Sequence, residues 1–308
     1  MSHDGIAARA PAALVPIRDR LRGAALRAAS HLWPKRISAM VRVKNEEEFL
    51  DAAVRSIVDN VEEVVIVDNA STDATPAVIE RLRADFPDKV VVDRYPHEIA
   101  RVGSETWQLL AASGGTSPHL SGTYYRWCLR RCAQPYVLKW DGDMIATDAL
   151  AAAIADWRRS AVPILVLQGA NVHPDRRHFA AAHSHDRAAL LERQRCPSMP
   201  QWVTSLTHDY PEPRLYPRFL ARYDHAAGFT QSLVSPFLDR RWRADLTRSA
   251  PGLSYLHLKF CKRDPYSNYS DELARVIRAN LTAGPELDAP AARLLARWGL
   301  RATTAPPA

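Results

Sequence analysis

Val64-Val65-Ile66-Val67-Asp68-Asn69-Ala70-Ser71-Thr72-Asp73 passes from four consecutive apolar residues straight into acidic, amide and hydroxyl side chains. Four apolar residues are too few for a helix, so they read as a short strand, and the polar run after it reads as a loop. The surrounding sequence alternates in the same way. Upstream, Ile37 to Val43 reads as a strand. Glu46 to Val58 then sets Phe49, Leu50, Ala53, Val54, Ile57 and Val58 on one helical face, with Asn45 as its N-cap. Downstream, Val78, Ile79, Leu82 and Phe86 mark a second amphipathic helix. A strand at Val90 to Val92, a helix around Thr123 to Cys132, a strand at Tyr136 to Trp140, a helix near Asp148 to Arg159 and a strand at Ile164 to Leu167 follow. This succession predicts an α/β fold, a mainly parallel sheet flanked by helices.

Beyond Gly169 the periodicity weakens. Residues up to Asp264 are rich in Pro, His, Arg and aromatics, the composition of loops that build binding sites and lids. From Asp271 to Leu300 helical spacing returns (Leu273, Val276, Ile277, Leu281, then Leu294, Leu295, Trp298), broken by Gly284-Pro285. The expected organisation is one large domain with helical N- and C-terminal extensions: 1–36, 37–264 and 265–308.

The chain has 308 residues, 47% of them hydrophobic and 24% charged, a balance typical of a water-soluble globular protein. Its net charge of +7 is concentrated at the start, where seven basic residues face two acidic ones before Ile37, a local excess of +5. Leu14, Ile17, Leu21, Ala25, Leu32 and Trp33 recur among those arginines at roughly helical spacing. Two readings share this leader: a basic amphipathic helix on an anionic membrane surface, and an exposed N-terminal helix without that role. Nucleic acid is disfavoured as a partner, because no basic stripe with interleaved aromatics continues into the body of the chain. Four cysteines (Cys128, Cys132, Cys196, Cys261), no secretory signal and no spanning apolar run suggest a cytoplasmic protein, with peripheral contact on the inner membrane as the extension of the leader reading. Cys128 and Cys132, one helical turn apart, read as a buried thiol pair.

In an open parallel sheet, ligands bind beyond the carboxyl ends of the strands. There this chain places Arg42, Lys44, Asn45 and Glu46 after the first strand, and Asp68, Asn69, Ser71 and Asp73 after the second. Asp141 and Asp143 follow the strand at Tyr136 to Trp140. The first loop has no glycine, against a dinucleotide-binding turn, and no Gly-x4-Gly-Lys-Ser/Thr sequence is present, against a P-loop enzyme. Asp141-Gly142-Asp143 offers two hard oxygen ligands of the kind Mg2+ or Mn2+ takes, with Gly142 expected to let the backbone turn. Asp-x-Asp alone arises about once by chance in a chain this long, so its position after a strand carries the reading.

Val41-Arg42-Val43-Lys44-Asn45-Glu46-Glu47, then Val65 to Asp73, then Trp140-Asp141-Gly142-Asp143 together resemble the family 2 glycosyltransferases of the GT-A, Rossmann-like fold. The resemblance covers Ile37 to Leu167. It implies a hexosyltransferase-type transfer of sugar from a nucleotide-diphosphate donor, a UDP- or GDP-sugar, to a glycan or glycolipid of the cell surface, with inversion. Residues 37–167 would form the nucleotide-sugar half and 168–264 the acceptor half. Arg42, Lys44, Asn45, Glu46, Asp68, Asn69, Ser71 and Asp141 would line the donor site, with Asp68 accepting from base or ribose. Asp141, Asp143 and a late histidine, best matched by His257 in Tyr255-Leu256-His257-Leu258-Lys259, would hold Mn2+ or Mg2+ at the departing diphosphate. Lys259, Lys262 and Arg263 would add positive charge near phosphate or form a solvated loop. An inverting reaction also needs a carboxylate base. The family's Glu-Asp pair is missing, leaving Glu212 and Asp209 as the candidates, with Asp224 and Asp239 behind them. His173, His178, His183 and His185 share no metal-binding spacing. Trp107, Trp127, Trp202 and Trp242 could include a sugar-stacking platform or sit in the core. Two rivals remain: a nucleotidyltransferase, whose Gly-rich triphosphate loop is missing here, and a non-catalytic nucleotide-sugar or membrane-surface binding protein.

Overall fold

The computed structural model describes residues 34–114, 116–182, 212–218 and 246–300, together with Ala28 and Leu32. The basic leader therefore lies outside the described residues except near its end, as do His183, His185, Trp202, Asp209, Asp224, Asp239 and Trp242.

The strands are β1 (Ile37–Val43), β2 (Glu63–Asp68), β3 (Val90–Arg94), β4 (Tyr136–Asp141), β5 (Met144–Ala146) and β6 (Ile164–Leu167). They continue with β7 (Gly169–Asn171), β8 (His178–Ala182), β9 (Glu212–Pro217), β10 (Thr247–Ser249), β11 (Tyr255–His257) and β12 (Leu281–Glu286). A seven-stranded sheet runs β10-β6-β9-β4-β1-β2-β3. Its β4, β1, β2 and β3 are mutually parallel, as the alternation predicts. Antiparallel β9 enters between β4 and β6. Pro213 has no N–H to give there, and the β6–β9 register shifts between Leu165 and Val166, next to its partner position.

Both faces of the central strands are covered, which is why they read as continuous apolar runs. On one face Ile37, Ala39, Val41, Val64 and Ile66 pack with Leu50, Val54, Val78, Ile79, Leu82, Ile154 and Trp157 from three helices. On the other, Met40, Val65 and Val67 meet Tyr124, Tyr125 and Cys128 of the Ser121–Arg131 helix. Period-two alternation along β1 thus sends Arg42 to the second face, toward Tyr125. Cys128 and Cys132 are fully buried, and burial pushes the Cys128 thiol up to about 12, so neither is a nucleophile at neutral pH.

Three local readings change. Asn45 does not cap a helix: its backbone is left-handed (φ 57°), and the helix begins only at Leu50 after a turn, with Phe49 as cap. The Glu105–Ala112 helix, capped by Ser104 accepting from the Trp107 N–H at 3.2 Å, buries only Trp107 and so leaves little periodic signal. The tail is not wholly helical. The Asp271–Asn280 helix ends where β12 begins, and β12 pairs antiparallel with β8, its register broken between Ala283 and Glu286 around Gly284-Pro285.

Lys35, counted among the leader's basic residues, ties β1 to the Asp148–Arg159 helix. Its Nζ donates to Trp157 O and Ser160 O, each at 2.6 Å, and lies 4.3 Å from the centre of the Trp157 ring. A cation on the last carbonyls of a helix stabilises both the orphan acceptors and the dipole. Lys35→Ala is expected to cost about 1–2 kcal/mol in denaturant unfolding. Among the described residues no helix is long and apolar enough to cross a membrane.

Candidate active site

Parallel pairing of β2, β1 and β4 brings their carboxyl ends side by side. Val43 is level with Asp68, and Arg42 with Asp141. The three loops named from the sequence therefore meet on one edge of the sheet, and each is fixed by side-chain chemistry.

The first two loops are laced together. The Asn45 N–H donates to Ser71 Oγ at 2.9 Å, and Asn45 Oδ1 receives the Thr72 N–H at 2.8 Å. The Glu46 N–H donates to Thr75 Oγ1 at 2.6 Å, and the Glu47 N–H to Asp73 Oδ2 at 3.2 Å. Asp73 also accepts from the Thr75 N–H at 2.9 Å, a local turn just ahead of the Thr75–Asp85 helix, whose N-cap is Ala74. Asp68 is buried. Its Oδ1 accepts from Ser71 Oγ at 2.5 Å and from the Ser71 N–H at 3.2 Å, a local turn that sets Ala70 at φ 55°. Asn69 ties this loop back to β1 and to the loop after β3, its N–H on Val43 O at 2.9 Å and its Nδ2 on His97 O at 2.7 Å. Lys44 pairs with the exposed Glu98 at 2.9 Å.

The two aspartates after β4 differ sharply. Asp141 is held by two buried guanidinium groups, Arg42 on Oδ1 and Arg214 on Oδ2, the latter at 3.5 Å. Arg42 lies 3.6 Å from the centre of the Tyr125 ring, and Arg214 donates from Nε to Tyr255 Oη at 2.9 Å. Burial opposes the Asp141 charge, but Arg42, Lys139, Arg214 and His257 outweigh it and keep the carboxyl well below its usual range. Asp141 is thus anchored by two guanidinium groups. Its chemistry was expected from the strand end; its partners were not.

Asp143 is 3% exposed and faces a different pair of basic side chains. Its Oδ1 is 3.2 Å from His257 Nε2, and its Oδ2 is 2.7 Å from Lys262 Nζ. Strand β11 delivers that histidine: His257 is level with Met144 of β5, and the Leu258 N–H donates to Asp143 O at 2.8 Å. Lys262 also pairs with Glu46 Oε1. The other Glu46 oxygen is buried with no hydrogen-bond partner among the described residues. Burial drives the Glu46 carboxyl up to about 8 against the pull of Lys262, with Asp143 and Asp141 adding to the rise. Burial likewise opposes ionisation of Asp143, yet Lys262 and His257 hold its carboxyl well below the ordinary range.

Gly142 serves closeness rather than turning. It does not have a positive φ, but a Cβ there would stand 2.9 Å from Val43 Cγ1 and 3.0 Å from Glu46 Cγ. Only glycine lets the β4–β5 turn rest on the first loop, and Trp140 Nε1 closes that turn on Met144 O at 3.1 Å.

A divalent ion was expected here. Among the described residues no group of three or more His, Cys, Asp or Glu is set to hold one. Asp143 and His257, an oxygen and an imidazole nitrogen 3.2 Å apart, do form a donor pair of the chemistry such an ion takes. Of the other expected residues, Glu212 opens β9 opposite Leu167, with its side chain outside the described residues. His173 and His178 both turn to Asp175, at 3.1 and 2.7 Å. Trp107 is buried in the core. Residues not anticipated as functional include Arg214 and Tyr255. The one signal for Arg214 was a charge set among Pro213, Leu215 and Tyr216 in a strand-like run.

The sequence description "Glycosyl transferase family 2" matches residues 38–98. No curated protein matches the chain. Among solved structures, S. aureus TarS 1–349 is similar at 18% identity and a TM-score of 0.39, over 79% of this chain and 64% of that one. The chain thus spans under two thirds of that relative. A mannosyltransferase, PcManGT from Pyrobaculum calidifontis, in complex with GDP-Man and Mn2+, is similar at 16% identity and 0.42, over 85% and 69%. Glucosyl-3-phosphoglycerate synthase from Mycobacterium tuberculosis, in complex with phosphoglyceric acid, is similar at 17% and 0.40, over 90% and 84%. The 38–98 match falls on β1, β2, β3 and the two laced loops between them, and over that stretch the chain is similar to glycosyl transferase family 2.

Proposed function

We propose that this protein transfers a sugar from a nucleotide-diphosphate donor to a hydroxyl of a glycan or glycolipid. The observation that carries the reading is the convergence, at the carboxyl ends of β1, β2 and β4, of Asp68, the Asn45–Glu46 turn, and Asp143 with His257 and Lys262. In the reaction the anomeric C–O bond to the diphosphate breaks, and the diphosphate leaves with the electron pair. The acceptor oxygen bonds the same carbon, and its proton passes to solvent or to an oxygen of the departing diphosphate. Asp68, held by Ser71, accepts from the ribose or base, and the laced loops fix where it stands. Mn2+ or Mg2+ held by Asp143 and His257 would supply charge neutralisation on the diphosphate. Arg42 and Arg214, by gripping Asp141, hold the end of β4 against β1 and β9, so that the following turn presents Asp143 to the site. Asp209 lies outside the described residues and the Glu212 side chain is not described, so neither enters this mechanism as base.

The test is donor turnover by the full chain on a panel of UDP- and GDP-sugars with Mn2+ and Mg2+, with and without a mixed glycan acceptor. Release of free nucleoside diphosphate is the expected result. Pyrophosphate release from nucleoside triphosphates instead would favour a nucleotidyltransferase. Donor binding without turnover under any condition would favour a binding protein.

A further inference from the structure

We propose that the Lys262 ammonium is a resident cation that competes with a divalent ion for the Asp143 end of the site, so that the free protein binds metal weakly and metal enters with the diphosphate donor. The proposal rests on the nucleotide-sugar reading for its last clause only. Two observations carry it. Lys262 Nζ is 2.7 Å from Asp143 Oδ2 and pairs with Glu46 Oε1, so it sits between those two carboxyl groups, beside the Asp143 oxygen pair that also faces His257. Asp141, the next carboxylate, is already matched by Arg42 and Arg214.

A divalent ion entering this arrangement alone would bring two further positive charges beside the Lys262 ammonium, in a partly desolvated place. A diphosphate arriving with it reverses that balance, because the added anions accept both the ion and the displaced ammonium. Displacement requires only the side chain to move. The Lys262 backbone follows the short Lys259–Cys261 turn, which is pinned by the Cys261 N–H on Leu258 O at 2.9 Å and by Arg176 on Cys261 O at 3.2 Å. The side chain is 15% exposed, which gives it a route outward.

The experiment is Mn2+ binding to the nucleotide-free full chain, read from loss of the free-ion EPR signal. Lys262→Met is expected to bind Mn2+ roughly tenfold more tightly than the natural chain. Lys262→Arg, which keeps the charge, is expected to bind as weakly as the natural chain. Circular dichroism checks the fold of both, and Lys262→Gln replaces the methionine variant if that one does not fold. Equal or weaker binding by the neutral variant, or tight binding by Lys262→Arg, overturns the proposal. No sugar donor is present, so failure of the glycosyl-transfer reading would appear in the donor panel and leave this comparison intact.

Discussion

Asp143→Asn is expected to lower donor turnover about 10²- to 10³-fold while the protein stays folded, the scale of losing one positioned electrostatic group at a reacting centre. The amide keeps the shape of the carboxylate but removes the charge shared by Lys262 and His257. It also offers donors to groups that are themselves donors. The backbone bond from the Leu258 N–H to the residue 143 carbonyl is untouched, so β5 and β11 remain joined. Asp141→Asn should fail differently. Arg42 and Arg214, 8% and 5% exposed at their side chains, would lose their shared counter-charge, and unfolding free energy should drop by about 3 kcal/mol. Initial rates across the donor panel and denaturant midpoints on both variants make the comparison. Unchanged turnover in Asp143→Asn would remove that residue from the chemistry, and two variants with the same profile would erase the distinction drawn between the aspartates.

That distinction marks where reading the sequence stops. Ile37–Val43, Asp148–Arg159 and Ile164–Leu167 were legible to the residue because each depends on local periodicity and a nearby cap or turn. The site's edge was equally legible, since strand order in a parallel sheet forces the loops after β1, β2 and β4 together. Partners were not. Arg42 and Asp141 are 99 positions apart, and Lys262 and Glu46 are 216 apart, so no spacing rule connects them. The same remoteness hid β9, whose neighbours β4 and β6 flank it only in space. Asn45 was misread for a related reason. A capping residue before an apolar periodic run looks local, but its side chain caps the next loop, at Thr72, 27 residues on.

Gly169→Ala is expected to damage the site from its far side. Gly169 of β7 is level with Tyr255 of β11, and a Cβ at 169 would stand 2.0 Å from two atoms of the tyrosine ring. That ring is 4% exposed, meets Trp140 edge-on at 5.5 Å between centroids, and holds Arg214 through its hydroxyl at 2.9 Å. It has no vacant place to move into, so the methyl group should cost about 1–3 kcal/mol as overpacking. It should also turn the hydroxyl away from Arg214, loosening the grip on Asp141 and lowering donor turnover. Tyr255→Phe separates the two effects, because it removes the hydroxyl at about 1 kcal/mol and leaves the packing in place. Combined with Gly169→Ala, it should add little further loss of turnover, since the alanine will already have broken the same hydrogen bond. Denaturant unfolding and donor kinetics on the two single variants and the double variant measure that coupling. Fully additive losses of turnover would mean that the ring keeps its hold on Arg214 despite the added methyl group, and the chain of contacts from Gly169 through Tyr255 and Arg214 to Asp141 would not be the route by which this glycine supports the site.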